Sequence, residues 1–489
     1  MAAETTTETA MAATRKRSTG AELRAWIERL WSSGGDRGQL AGTPPVPEAT
    51  PLDRARALAE ALLSERGEAS GAAVARELHA AIRDLSEADR LAFLLFLASG
   101  FMPDTAKLRR AAEAYLADPS AEQAARLAEC AEPPRQELLR RMNLSPGCTA
   151  AALVAMRRDV LMVLRENPML KPLDVDLHHL FGSWFNRGFL ELRRIDWQSP
   201  AASLEKLITY EAVHEIAGWD DLRRRLGPDR RCFGFFHPAL PGEPLIFVEV
   251  ALTEGLAAAV QPLLAPPGDE RAAAAAAARA DTAIFYSISN CQEGLRGVSF
   301  GNFLIKQVVE DLKAELPQLA HFSTLSPVPG FRRWLDRRLA AGDEAGELLR
   351  PEERLRLPGP AGDDAAQLRD ALATEGWWRD ADLAAALEAP LVRQSAIYLT
   401  AGNGKGADPV ARFHLGNGAR LERINWLGNT APRGLGESWG IMVNYLYDPN
   451  FIEANHEAFL RDGRVARSNA VNALIEAPAE PALRRARAG

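Results

Sequence analysis

Apolar residues recur every three or four positions through most of the first 190 residues of this 489-residue chain. LDRARALAEALLSERG, GAAVARELHAAIRDL, EADRLAFLLFLAS and AALVAMRRDVLMVLREN each gather their apolar side chains on one face, with alanine and arginine between. That period belongs to amphipathic helices. Proline and glycine breaks at Thr43–Pro51, Met102-Pro103 and Ser145-Pro146-Gly147 cut the pattern into several helices, which predicts an antiparallel bundle over residues 20–187. Residues 1–19, rich in Ala, Thr and Glu, read as a disordered leader. Nothing catalytic stands out in this half, so its expected role is scaffolding or oligomerisation.

Near Trp184 the texture changes. A helix is expected over Ala201–Glu215, and the run Leu245–Leu252, rich in β-branched and large apolar residues, reads as a buried strand. Leu264–Ala280 is either a linker or an Ala-rich helix crossing between strands. Next come a strand in FYSISN, the loop Gln292–Gly301, and a helix over Asn302–Leu316 with Phe303, Leu304, Val308, Leu312 and Leu316 on one face. A short strand then leads to Ser323 and Ser326, and the prolines of SPVPGF stiffen the turn beyond. A helical, loop-rich insert is expected from Arg332 to about Pro390, followed by strands at Ala411–His414, Leu421–Trp426 and Gly440–Tyr447. The expected class is α+β: a helical bundle, then a sheet-containing unit over residues 188–475 and a flexible tail over 476–489.

Composition narrows the function. A net charge of −7 and a hydrophobic fraction of 47% fit a soluble globular protein and supply no basic footprint for nucleic acid. No apolar run approaches the roughly 20 residues a membrane-spanning helix needs, so no membrane partner is expected. The four cysteines, Cys130, Cys148, Cys232 and Cys291, form no CxxC pair, and His178-His179 are adjacent rather than four apart. Neither a zinc site nor a disulfide framework is expected, and a reducing cytoplasm fits best.

Candidate chemistry gathers in residues 285–331. A glycine-bearing loop feeding a helix N-terminus points unpaired backbone N–H groups and the positive end of the helix dipole at one spot, which suits a phosphate or pyrophosphate. Ser323 and Ser326 follow on the next strand, and Cys291 beside the loop is a candidate for redox sensitivity. His237 and His321 read as structural.

HPALPGEPLIFVEVALT, FYSISNCQEGLRGVSFGNFLIKQVV, FSTLSPVPGF, FHLGNGARLERINW and, at the boundary, SWFNRGFLELRRIDW together resemble the malonyl-CoA decarboxylase family, in order and across Trp184–Tyr447. The resemblance implies a helical N-terminal domain on a GNAT-type acyltransferase-like fold, working as a homo-oligomer. It implies conversion of malonyl-CoA to acetyl-CoA and carbon dioxide, with no metal or prosthetic group. It places the catalytic serine at Ser326 (over Ser323), the catalytic histidine at His414, and a site tyrosine at Tyr447. Only one of Tyr445 and Tyr447 is expected to face the site. The acyl-CoA loop falls on Arg296, Gly297, Val298, Ser299, Phe300, Gly301 and Asn302. Some members carry glutamate where this chain has Ser299, so that carboxylate's role does not carry over.

Losing carbon dioxide from a malonyl thioester leaves a thioester enolate whose α-carbon must be protonated. On this reading His414 supplies the proton and Ser326 engages the malonyl carboxylate. The competing readings are an acyltransferase, a thioesterase using Ser326 as nucleophile although no GxSxG elbow surrounds it, and a non-catalytic CoA-binding regulator.

Overall fold

The computed structural model describes residues 50–64, 67–143, 150–265, 269–298, 304–342, 346–359, 362–400 and 408–476. The expected leader 1–19, nearly all of the tail, and Ser299, Phe300, Gly301 and Asn302 of the glycine loop lie outside them. The chain divides into two compact units, Met1–Phe181 and Gly182–Gly489.

The first unit is helical, as its period requires. Ser and Asp caps start its helices: Ser86 accepts from the Asp89 amide, and Asp104 from those of Ala106 and Lys107. Leu58, Leu62, Leu78, Phe93, Leu97, Leu138 and Leu153 make its apolar interior. Buried ion pairs cross-link the helices. Arg135 bonds Asp176 at 2.7 Å and the carbonyls of Leu97 and Ala98 at 3.1 and 2.7 Å, joining helices Glu87–Gly100, Pro134–Asn143 and Lys171–Trp184.

The second unit is built on an eight-stranded mixed sheet: β1 (Glu191–Ile195), β2 (Arg230–Phe236), β3 (Pro244–Thr253), β4 (Thr282–Asn290), β5 (His321–Thr324), β6 (Ser326–Pro327), β7 (Arg420–Asn425) and β8 (Met442–Leu446). The order is β1-β2-β3-β4-β5-β8-β6, with β7 also paired to β8. Only β4 and β5 are parallel, from Thr282↔His321 to Phe285↔Thr324; the helix Leu304–Glu315 lies on the connection between them. The central strands have almost no exposed residue, so even their polar positions, Glu249, Ser287 and Ser289 among them, are buried. Phe247, Val250, Ile284, Phe285, Phe322 and Met442 are each 1% exposed or less; full burial of such a side chain stabilises by about 1.5–3 kcal/mol.

Local structure resolves one open alternative and departs from the expectations at two points. Leu264–Ala280 resolves in favour of a helix, Glu270–Arg279, capped by Asp269. Pro390 does not end the insert; it lies inside the helix Ala381–Thr400, whose burial of Leu387, Leu391 and Leu399 outweighs the one backbone bond that proline removes. Ala411–His414 is no strand but part of the helix Pro409–Gly416. Asp408-Pro409 is a cap followed by proline at the first helical position, a start signal that outranks the local mix of small and polar residues.

Glu249, in the middle of β3, is 1% exposed and bonds Arg225 at 3.1 Å. Burial and the nearby Glu211 push its carboxyl up to about 7, against the pull of Arg225. Arg225→Met strands that carboxylate and should cost about 3–5 kcal/mol, read as a lowered urea midpoint. Glu249→Gln keeps a hydrogen bond to Arg225 and should cost clearly less.

Candidate active site

The parallel ladder between β4 and β5 stops early. Its last bond runs from the Leu325 amide to the Phe285 carbonyl at 3.0 Å. Beyond it β4 continues to Asn290, whereas Ser326 and Pro327 pair with Val443 and Met442 of β8. The chain therefore forks, and Ser326 is the first residue past the fork.

Ser326 is 5% exposed and His414 3%. Ser326 Oγ is 3.1 Å from His414 Nε2, and the other ring nitrogen, Nδ1, is 2.8 Å from the Tyr447 hydroxyl. Ser326 Oγ also donates to Thr324 Oγ1 at 2.9 Å, and that oxygen accepts the Tyr445 backbone N–H at 3.2 Å. The Tyr445 ring stacks on the imidazole, centroids 4.8 Å apart. Four side chains from three segments thus form one line of hydrogen bonds, Thr324–Ser326–His414–Tyr447, roofed by an aromatic ring.

Each member is positioned by something local. Thr324 and Ser326 flank the strand break, both turned the same way by the two-residue period of extended chain. His414 stands in the last turn of a helix whose first turn is capped by Asp408. Tyr445 and Tyr447, two residues apart, share one face for the reason that aligns Thr324 and Ser326. Both reach the imidazole, so the expectation that only one would face the site is corrected. Behind them, Asn444 donates to the Thr324 carbonyl at 2.7 Å and accepts from Asn425 at 2.9 Å. Thr324 and Asn444 were missed in the sequence, where a threonine or an asparagine inside a strand carries no distinguishing signal.

The remaining candidates sort plainly. Ser323 bonds the carbonyls of Tyr445 and Thr324 at 3.2 and 3.3 Å and does not enter the line. In the glycine loop, Arg296, Gly297 and Val298 follow a short 3-10 turn, Glu293–Leu295; Gly297 has φ +82°, a conformation that favours glycine. Cys291 is buried, and burial with the nearby Glu211 and Glu243 pushes its thiol up, the opposite of a reactive thiolate. Among the described residues, no group of three or more His, Cys, Asp or Glu side chains is placed to hold a metal ion.

Burial alone holds the imidazole far below its usual range, at about 3, and raises the Tyr447 phenol well above its own. At neutral pH the ring is therefore uncharged, with one nitrogen donating and the other accepting. With the Ser326 hydroxyl donating to Thr324, Ser326 Oγ accepts from Nε2–H, and Nδ1 accepts from the Tyr447 hydroxyl.

The chain pairs a helical unit with a mixed-sheet unit that holds a buried serine–histidine pair where the sheet forks. Comparison with known proteins gives the family. Residues 101–185 match the malonyl-CoA decarboxylase N-terminal domain and residues 188–485 the malonyl-CoA decarboxylase C-terminal domain. The chain is 40% identical over 333 residues to the mitochondrial malonyl-CoA decarboxylase of Anser anser anser, 66% of each chain, and 39% identical over 335 residues to that of Rattus norvegicus, covering 66% of this chain and 67% of the relative. It is similar to the solved malonyl-CoA decarboxylase of Rhodopseudomonas palustris, with 52% identity, TM-score 0.76 and coverage of 86% of this chain and 99% of the other. For the Agrobacterium vitis enzyme the figures are 48%, 0.76, 86% and 100%. The chain belongs to the malonyl-CoA decarboxylase family.

A buried neutral histidine has a stability consequence. The unfolded ring takes up a proton near pH 6.5, while the folded ring refuses it until about 3. Its contribution is complete above pH 6.5 and is lost as pH falls through that window. Lowering the pH from 7 to 5 should cost the wild type about 2 kcal/mol more than the His414→Asn variant, by urea denaturation at each pH.

Proposed function

We propose that this protein decarboxylates malonyl-CoA to acetyl-CoA and carbon dioxide at Ser326 and His414. The observation that carries the reading is the 3.1 Å contact between Ser326 Oγ and His414 Nε2 inside a buried line of hydroxyls, in a chain of this family. Carbon dioxide leaves by breaking the bond between the malonyl carboxylate carbon and the α-carbon. The electron pair moves into the thioester carbonyl, and the resulting enolate carbon takes one proton.

The source of that proton follows from the electrostatics. Tyr447, its phenol raised by burial, keeps its proton and orients the ring. A neutral imidazole is not a ready acid, but the malonyl carboxylate brings a negative charge that favours the imidazolium. The last turn of the Pro409–Gly416 helix favours a cation as well. The imidazolium donates through Nδ1 to Tyr447 and through Nε2 to Ser326. Because both ring nitrogens already face hydroxyls, the reading that fits is delivery through Ser326 rather than directly from the ring. The Ser326 hydroxyl first hydrogen-bonds the malonyl carboxylate. Once carbon dioxide has gone, it passes its proton to the α-carbon and receives the one from Nε2. Arg296–Asn302 remain the acyl-CoA loop on this proposal, which needs no metal or prosthetic group.

One observation favours a second reading: a serine hydrogen-bonded to a histidine is also the pairing of a nucleophile and its base. Here Nδ1 faces a phenol with a raised pKa rather than a carboxylate, which weakens it. The products decide between them, since decarboxylation yields acetyl-CoA whereas hydrolysis yields free CoA. Assignment to the cytoplasm rests on the free thiols Cys130, Cys232 and Cys291. That to a homo-oligomer is supported by large apolar residues exposed on the helical unit, Leu116, Met162 and Met169.

Purified protein given malonyl-CoA should form acetyl-CoA with no release of free CoA. Ser326→Ala and His414→Asn should each lower kcat at least about 100-fold with KM little changed. Tyr447→Phe, which removes only the orienting hydroxyl, should lose less. Release of CoA, or near-normal turnover in both of the first two variants, would defeat the assignment.

A further inference from the structure

We infer that Asp408 is a positioning residue for the Ser326–His414 pair, because one carboxylate ties the turn after Ser326 to the helix that carries His414. The inference rests on the decarboxylase reading of the site and adds to it a residue that touches neither Ser326 nor His414.

Asp408 is 3% exposed and both of its oxygens are shared. Oδ1 accepts the backbone N–H groups of Val410 and Ala411 at 2.9 and 3.2 Å, which caps the helix Pro409–Gly416. Oδ2 accepts the Gly330 N–H at 3.1 Å and the Tyr398 hydroxyl at 3.3 Å. All four partners are donors, which suits an ionised carboxylate. Gly330 lies four residues beyond Ser326, across Pro327-Val328-Pro329, where two prolines leave the chain little freedom. His414 lies six residues beyond Asp408, in the last turn of the capped helix. Serine and histidine, 88 residues apart in sequence, are thus each joined to the same carboxylate by a short stiff segment.

The third partner closes the strap. Tyr398 is 3% exposed, its ring 5.9 Å from that of Phe331 and 5.3 Å from that of Trp334. A methyl group on Gly330 would meet the Tyr398 hydroxyl oxygen at 2.1 Å and Asp408 Oδ2 at 3.3 Å. Glycine is required here by the close approach of that hydroxyl, since the backbone φ of −95° is open to any residue. A misplacement of about 1 Å between Ser326 and His414 is enough to lower turnover on the order of 100-fold. The strap sets that separation.

The test is kinetic. In Asp408→Asn the amide oxygen can still cap the helix, but the NH2 group cannot accept from Gly330. The expected result is a kcat lowered about 10- to 100-fold with KM for malonyl-CoA within about twofold. In a Ser326→Ala background, where no pair is left to position, the same change should alter residual turnover less than about twofold. Gly330→Ala, whose methyl meets the Tyr398 hydroxyl, should lower kcat similarly with KM again within about twofold. An unaffected Asp408→Asn, an unaffected Gly330→Ala, or an equal loss in the Ser326→Ala background would overturn the strap. A wild-type chain that forms no acetyl-CoA would instead overturn the decarboxylase reading on which it stands.

Discussion

The site depends on a single backbone event, the failure of β5 to stay paired with β4 beyond the Leu325–Phe285 bond. Had the parallel ladder continued, Ser326 would be one more residue inside a sheet. Instead only the pairing with β8, already made at Ser323, continues past that point, and β8 presents Tyr445 to the ring of His414. Two neighbouring strands part, and the buried residues at the parting line carry the hydroxyls. The large aromatic core on either side of β4 keeps the fork rigid, because a close-packed interior does not deform gradually.

Polar groups in such an interior must satisfy each other. Thr324, Ser326, His414 and Tyr447 do so in a line in which every link is a hydroxyl or an imidazole nitrogen, so protons can be exchanged without creating an unpaired buried group. The same low-polarity surroundings that keep the imidazole neutral at rest would strengthen its response to an anionic substrate. Burial therefore serves two ends at this site. It holds the geometry, and it leaves the charge state of His414 to be decided by what binds.

Much of this was legible in the chain. The three-to-four period of the first unit, the apolar run of β3 and the Pro-Val-Pro turn after Ser326 each state their local structure directly. Family strings picked Ser326, His414 and Tyr447, which the fold brings into direct hydrogen-bonding contact. The reading failed where a local signal was passed over or overridden. Ala411–His414 reads as a strand by residue type, although Asp408-Pro409 just before it is a helix start. Pro390 was taken as an ending, although buried leucines on both sides carry the helix through it. Thr324 and Asn444 escaped notice, and Tyr445 was set aside for Tyr447, because their part depends on register, which residue type does not reveal.

The sequence by itself determined the two-part layout, the α+β class and the family, because period, propensity and ordered motifs are local properties of the chain. Only the tertiary structure decided that Ser326 and His414 touch. It also decided that the imidazole is neutral and that Asp408 holds the two segments together. Those facts depend on distances between residues about 80 to 90 positions apart and on how much water is excluded from between them. Neither is written in any local stretch, since contact and burial come into being only when the strands pair and the helices close over them.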